Sequence, residues 1–272
     1  MTPETTSQFR VRVDASNPGQ FLACCGLLEL ATRLWTFAEG WFDDGWFYVA
    51  SDGTLRQVLV ALSSREPTEV TTLDSGLEVK ALIAPLRLEL PGRSDPLVLD
   101  GWMTIGTEKG EVVAKKSPPW NFWSGQQTSH RIWRSLRAEL LSMLKTMTPA
   151  DEEDLFFHRV PTSGRFGFDP VAAWKALDAG FSPNEQHMEV ASSPAVELLA
   201  ALGLQRVRLP VSPDETRFWY ATWAVPLSAA VAAPAACGVG VSAGSTNYEG
   251  RVISRGSFAA LGVSRRVEGG QR

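Results

Sequence analysis

From Gln8 to Asp14 (QFRVRVD) Phe9, Val11 and Val13 alternate with Arg10 and Arg12, the period of a strand with one buried face. The period then becomes helical. Asn17 is placed as N-cap, Pro18 sits at the first helical position, and Gln20 stands three residues after the cap, where its amide can reach back to the cap's own N–H. Phe21, Cys24, Cys25, Leu28, Ala31 and Leu34 form the stripe expected to be buried, and Gly40 is the expected stop. Trp41 and Phe42, then Trp46 to Val49, flank Asp43-Asp44-Gly45 as a hairpin. Asp52 is the expected cap of a short helix carrying Leu55, Val58, Leu59 and Leu62, and Val79 to Leu90 reads as a further strand. The order strand, helix, strand, strand, helix, strand predicts an α+β class with a ferredoxin-like (RRM-like) N-terminal core. Leu97 to Leu99 adds a strand candidate. Asp169-Pro170 and Ser193-Pro194 repeat the cap-then-proline device and predict helices ending at Gly180 and Gly203. Ser193 to Arg208 reads as a core helix followed by a basic strand, and the tail RRVEGGQR as frayed. No internal repeat is evident. The expected organisation is a core over 1–108, a basic loop-helix insertion over 109–160 and a C-terminal α+β part over 161–272, packed as one compact unit.

With 272 residues, 44% apolar and 21% charged, the chain has enough core to fold without a disulfide or metal, which excludes disordered and fibrous classes. Three cysteines, two of them adjacent, make no disulfide framework and no CxxC pair, which suits a reducing compartment. Neither a signal peptide nor an apolar run of about 18 residues occurs, so the cytoplasm is the expected location, without membrane contact. The net charge of −4 argues against a general DNA-coating protein but leaves room for a local basic site. Between Lys109 and Lys145 that balance inverts, with seven Lys or Arg against Glu111 and Glu139.

The strongest candidate lies in this stretch, KKSPPWNFWSGQQTSHRIWRSLR (Lys115 to Arg137). Gln126, Gln127, Thr128, Ser129 and His130 put hydrogen-bonding side chains in a row before a helix. At about 100° per residue Ile132, Leu136 and Leu140 share one face of that helix while Arg131 and Arg134 lie opposite, ready for a phosphate backbone. Trp120, Phe122 and Trp123 can stack on bases or wedge into a duplex; the same rings also fit a core, and the arginines a solvated face. Asn17 and Gln20 can offer a helix start to an anion or serve as an ordinary cap. Arg159 and Arg165 stand on a Pro, Ser and Gly loop (HRVPTSGRFGFD) from which they can reach phosphates or face water. Gly238 to Asn247 can bring backbone N–H groups to phosphates or form a plain glycine-rich loop or strand.

Catalytic patterns fail. Gly240 to Gly244 fits GxSxG, but that elbow needs a following helix and a later histidine, and all three histidines precede Ser242. Asp151 to Asp154 follow Thr148-Pro149, where a helix start favours acids, and the histidines show no zinc spacing. Neither a metal nor another cofactor is expected.

Four blocks, NPGQFLACCGLLELATRLW (Asn17 to Trp35), SPPWNFWSGQQTS (Ser117 to Ser129), GRFGFDPVAAWKALDAGFSPNEQ (Gly164 to Gln186) and PAVELLAALGLQRVR (Pro194 to Arg208), together resemble the Csb-three family. These are subunits of type I-U (I-G) CRISPR effector complexes, classed as large-subunit equivalents. The resemblance implies a non-catalytic subunit of a Cascade-like surveillance complex, with other effector subunits, guide RNA and target double-stranded DNA as partners and cleavage left to a transient helicase-nuclease. Such a subunit would read the short duplex motif beside the target, the PAM, while base pairing reads sequence. By residue chemistry Gln126 and Gln127 suit base edges, Lys115, Lys116, Arg131 and Arg134 suit phosphates, and Trp120 or Trp123 suits stacking. A guide-RNA-binding backbone subunit and a purely structural bridge are the alternatives, since RNA-binding sheets share the ferredoxin-like core and Trp and Arg enrichment also marks protein interfaces.

Overall fold

A computed structural model describes residues 9–92, 95–120, 123, 127–170, 190–240, 244–255 and 258–268 of the chain. The class is α+β, as expected. Strand β1 (Phe9–Arg12), helix α1 (Pro18–Leu34) and the hairpin β2 (Ala38–Asp43) and β3 (Trp46–Ser51) form an antiparallel sheet of order β1-β3-β2. Val11, Phe47 and Val49 are buried, and β2 and β3 lie against α1. Asp44 and Gly45 both take positive φ (42° and 79°), the two-residue turn whose twist matches the strands. Helix α1 stops at Trp35 and not at Gly40, which lies inside β2. A Cβ at Gly40 would sit 2.7 Å from the Phe47 ring, so the glycine serves close packing. Helix α2 (Leu55–Ser63) is capped by Thr54 in a capping box with Gln57, while Asp52, the expected cap, instead accepts a hydrogen bond from Thr36.

The elements run strand, helix, strand, strand, helix through α2, and the strand expected next does not join that sheet. Strands β4 (Thr68–Glu69), β5 (Leu86–Leu88) and β6 (Leu97–Leu99) form a separate sheet, and the segment 79–90 contributes only β5 to it. A 3-10 turn over Ala81–Ile83 takes the first half of that segment, and its carbonyls accept indole N–H groups, which removes them from any strand ladder. Next come the hairpin β7 (Met103–Glu108) and β8 (Glu111–Lys116), α3 (Ser129–Leu144), α4 (Pro149–Glu153), the 3-10 turn Leu155–Phe157 and the paired strands β9 (Val160–Thr162) and β10 (Val190–Ser192). Strand β1 lies against α4 and that turn, where Arg10 and Arg12 meet Glu153 and Asp154.

Helix α5 (Pro194–Arg206) packs on α1 over most of its length, and the pair is the centre of the molecule. The two run in the same direction. Both starts meet residues 167–169, through Asn17 and Glu197, and both ends meet through Glu29 and Arg206. Every residue of α1 from Pro18 to Ala31 is buried, so the helix is enclosed on all sides. Gly203, the expected end of α5, lies inside it. A Cβ there would fall 2.1 Å from the Leu22 carbonyl oxygen, and one at Gly26 would fall 1.8 Å from that of Leu199. The two glycines let the backbones touch.

Strand β11 (Arg217–Thr222), helix α6 (Ala229–Ala236) and strands β12 (Thr246–Arg255), β13 (Phe258–Leu261) and β14 (Arg265–Val267) complete the chain, with β12 central to the last sheet. Arg265 to Val267, expected to fray, pairs with β12, whereas no strand forms over 207–210, where a basic strand is predicted. The helix predicted after Asp169-Pro170, ending at Gly180, lies beyond residue 170 outside the described residues. Among the described residues no helix is long and apolar enough to cross a membrane.

Glu29 illustrates how charge is used in this core. Burial alone would raise its carboxyl, but hydrogen bonds from Arg206 and Arg33 outweigh that and hold it below the usual carboxylate range. A carboxyl lower in the folded than in the unfolded state binds fewer protons when folded. Its stabilisation is complete above the unfolded value of about 4.3 and is lost as pH falls through the folded value. Glu29→Gln is therefore expected to destabilise the protein at pH 7, with the difference from the parent narrowing at about pH 3. Urea titrations giving the same difference at both pH values would contradict this account.

Candidate nucleic-acid interface

Three consecutive carbonyls following Lys80 organise the basic segment. Trp123 Nε1 donates to Leu82 O at 3.1 Å, Trp102 Nε1 to Ile83 O at 3.1 Å, and Ser129 Oγ to Ala84 O at 2.7 Å. Trp102 stands at the foot of the β7–β8 hairpin, where its carbonyl accepts from Ser117 N at 2.9 Å, and Ser129 opens α3. One short turn thus holds both the hairpin foot and the helix start. Thr128 caps α3 by accepting from Arg131 N, and Ile132, Trp133, Leu136 and Leu140 bury the inner face. Arg137 fixes the far side by donating to Ser63 O at 2.7 Å.

Arg131 and Arg134 both face water, one turn apart on the outer side, as their spacing predicts. Arg131 forms no ion pair among the described residues. Arg134 lies 3.4 Å from Glu66, with both side chains more than half exposed, a pairing worth little that a phosphate can displace. Lys115 extends across Gly106 and lies 3.8 Å from Glu108, also exposed. Lys116 is different: burial lowers its pKa, and its ammonium donates to Trp123 O at 3.3 Å. It supports the Trp123 backbone more than it serves a ligand.

Several expected ligand residues are structural. Trp120 (3% exposed) and Trp123 (4%) are core, against Phe168 and Phe166, so neither ring is placed to stack on a base. Ser129 is buried on Ala84 O, and Gln127 donates to Ser163 O. Gln126 lies outside the described residues. Asn17 and Gln20 are both buried, so the start of α1 is closed to an external anion. Asn17 caps Gly19 N and Gln20 N and donates to Asp169, while Gln20 accepts from Asp14 N and does not reach back to the cap. Arg159 is paired with Asp169 at 3.4 Å, and Arg165 is largely enclosed, its pKa lowered by burial against the pull of Glu197 and Asp169.

What sequence reasoning missed is the acid pair behind those arginines. Glu197, fully buried, accepts from Gly167 N at 2.9 Å, Phe168 N at 3.4 Å and Asp169 N at 3.1 Å, while burial pushes its carboxyl up. Asp169, also fully buried, takes Asn17 and Arg159. The loop 164–170 is clamped between the starts of α1 and α5. An acid in the first turn of an apolar helix was the available signal, since such an acid seeks N–H groups. Lys80 is exposed just before the carbonyl turn.

Of the GxSxG pattern, 241–243 lie outside the described residues, and the next element along the chain is β12, a strand where the hydrolase elbow requires a helix. Comparison with known protein families, curated proteins and solved structures finds no match.

Proposed function

We propose that the chain is a non-catalytic subunit of a type I CRISPR RNA-guided surveillance complex, acting in the cytoplasm beside other effector subunits, guide RNA and a transient helicase-nuclease. Its task in this reading is to recognise target double-stranded DNA and the flanking motif and to help hold the guide or target strand. The observation that carries the nucleic-acid role is α3, which exposes Arg131 and Arg134 while Ile132, Leu136 and Leu140 anchor it, with Lys115 on the neighbouring hairpin. Exposed cations on an anchored helix of an otherwise acidic protein give phosphate contact a local surface. The resemblance of four ordered sequence blocks to the Csb-three family supplies the biological setting.

The test is duplex binding by fluorescence anisotropy across a salt series. Arg131→Ala with Arg134→Ala is expected to flatten the slope of log affinity against log salt by about 1.8, two contacts at about 0.9 each. An unchanged slope removes the assignment. Co-purification with guide-length RNA and the neighbouring subunits tests the setting separately.

A bridging role is the second reading, favoured by the hairpin. Ile105 and Val112 are more than half exposed and, by register, share one of its faces with Thr107 and Ala114, which suits a protein partner. On that reading the subunits co-purify and the arginine pair leaves the salt slope unaltered.

A further inference from the structure

The outer face of the last sheet holds cations that folding does not explain. In the β11–β12 register Arg217 stands directly opposite Arg251, and Trp219 opposite Glu249; across β12, Glu249 faces Arg265. Phe218 and Tyr220 point inward and are buried, which turns Arg217 and Trp219 to the other side. Like charges placed directly across a strand pair oppose folding. Neither Arg217 nor Arg251 forms an ion pair among the described residues.

Among the described residues the one acid on this face, Glu249, is spent on geometry. Glu249 accepts from Trp219 Nε1 at 3.3 Å and from Arg265 Nη2 at 3.0 Å, so it fixes the half-buried indole in one orientation and holds one guanidinium beside it. Arg217 lies 5.7 Å from the Trp219 ring centre. Asp214, in the turn before β11, is committed to Ser212 and Thr216 of its own turn, and Arg266 has the opposite parity, toward Tyr248. Glu215 and Glu268 flank the face beyond its edges.

The N-terminal sheet offers an instructive contrast. There Arg10 also lies over an indole, that of Trp46, at 4.1 Å, but Arg10 is bound to Glu153 and Arg12 to Asp154. Its cations are already neutralised. On the C-terminal face, among the described residues, Arg217, Arg251 and Arg265 share one side of the sheet with the indole of Trp219 and the acid Glu249.

We propose that the outer face of the β11–β12–β14 sheet is a second nucleic-acid site, taking a single strand, with a base stacked on Trp219 and phosphates held by Arg217, Arg251 and Arg265. Single strands suit it because an indole held on a sheet face can take an unpaired base, whereas a duplex hides its bases. The site shares no residue with the α3 surface and does not depend on its assignment.

The test is anisotropy with fluorescein-labelled oligo(U) RNA, oligo(dT) DNA and a blunt duplex, using the full chain. Trp219→Ala is expected to weaken single-strand binding roughly 5- to 150-fold, the range for losing one stacked base, and Trp219→Phe to retain most of the affinity. Arg217→Ala with Arg251→Ala is expected to flatten the single-strand salt slope by about 1.4, two contacts at about 0.7 each. Arg131→Ala with Arg134→Ala should leave the Trp219 effect intact, which separates this site from the other. Tighter binding of oligo(U) identifies an RNA strand as the occupant, and equal or tighter binding of oligo(dT) a DNA strand. The proposal is overturned if the parent binds neither oligonucleotide. It is equally overturned if folded Trp219→Ala and Arg217→Ala/Arg251→Ala proteins bind as the parent does, or if Trp219→Ala weakens duplex binding as much as single-strand binding.

Discussion

Gly26→Ala and Gly203→Ala are each expected to destabilise the protein by about 3 kcal/mol or more, the upper end of overpacking, or to prevent folding. In a solvated helix the same change would gain about 1 kcal/mol, because alanine is the better helix former. The sign reverses because the new methyl has nowhere to go. It would lie 1.8 Å from Leu199 O in one case and 2.1 Å from Leu22 O in the other, where contact requires roughly 3.5 Å. Both obstacles are main-chain atoms of the facing helix, so no rotamer change relieves them; the helices must separate and open a core that holds Phe21, Leu22 and Leu199. Urea or thermal melts measure this directly. Alanine variants as stable as the parent would mean that α1 and α5 do not touch backbone to backbone.

Glu197→Ala is expected to cost about 3–5 kcal/mol, the range for breaking a buried charged arrangement by removing one member. Three main-chain N–H groups would lose their acceptor, and Arg165 would keep only Asp169 as a nearby counter-charge. Glu197→Gln, which keeps the shape and one acceptor oxygen, should fall between parent and alanine. A loss below about 1 kcal/mol for the alanine variant would show that the 164–170 loop is held by other contacts. Because that loop joins the starts of α1 and α5 through Asn17 and Glu197, its failure should appear as loss of cooperative unfolding as well as of midpoint.

Local patterns carried the sequence reading well where one element decides its own shape. The alternation of β1, the Asp44-Gly45 turn, the proline-started helices at Pro18, Pro149 and Pro194, and the outward Arg131 and Arg134 all stem from spacing within a few residues. The reading failed where distant chain competes for the same groups. Val79 to Leu90 is apolar enough for a strand, but Trp102 and Trp123 claim its carbonyls from 19 and 41 residues away. Gly40 and Gly203 looked like helix stops and are close-packing sites instead, a distinction that depends on what lies opposite. For the candidate site, residue type predicted chemistry and burial overruled it. Trp120, Trp123, Ser129, Asn17, Gln20 and Arg165 carry groups a ligand would want, and the core uses them first.

The union of α1 and α5 also dictates when this chain can fold. Glu29 and Arg206, which close the pair, are 177 residues apart. At a synthesis rate of about 5–20 residues per second, α1 waits roughly nine to thirty-five seconds on the ribosome before its companion emerges. During that interval the N-terminal sheet and α2 can cover part of this apolar helix, but the flank that meets α5 has no native partner. A contact so remote in sequence makes folding slow to nucleate and late to commit, and leaves the nascent chain exposed to aggregation. Yield in the cell should therefore depend on chaperone supply and on translation speed across the middle of the message more than on the final stability of the fold.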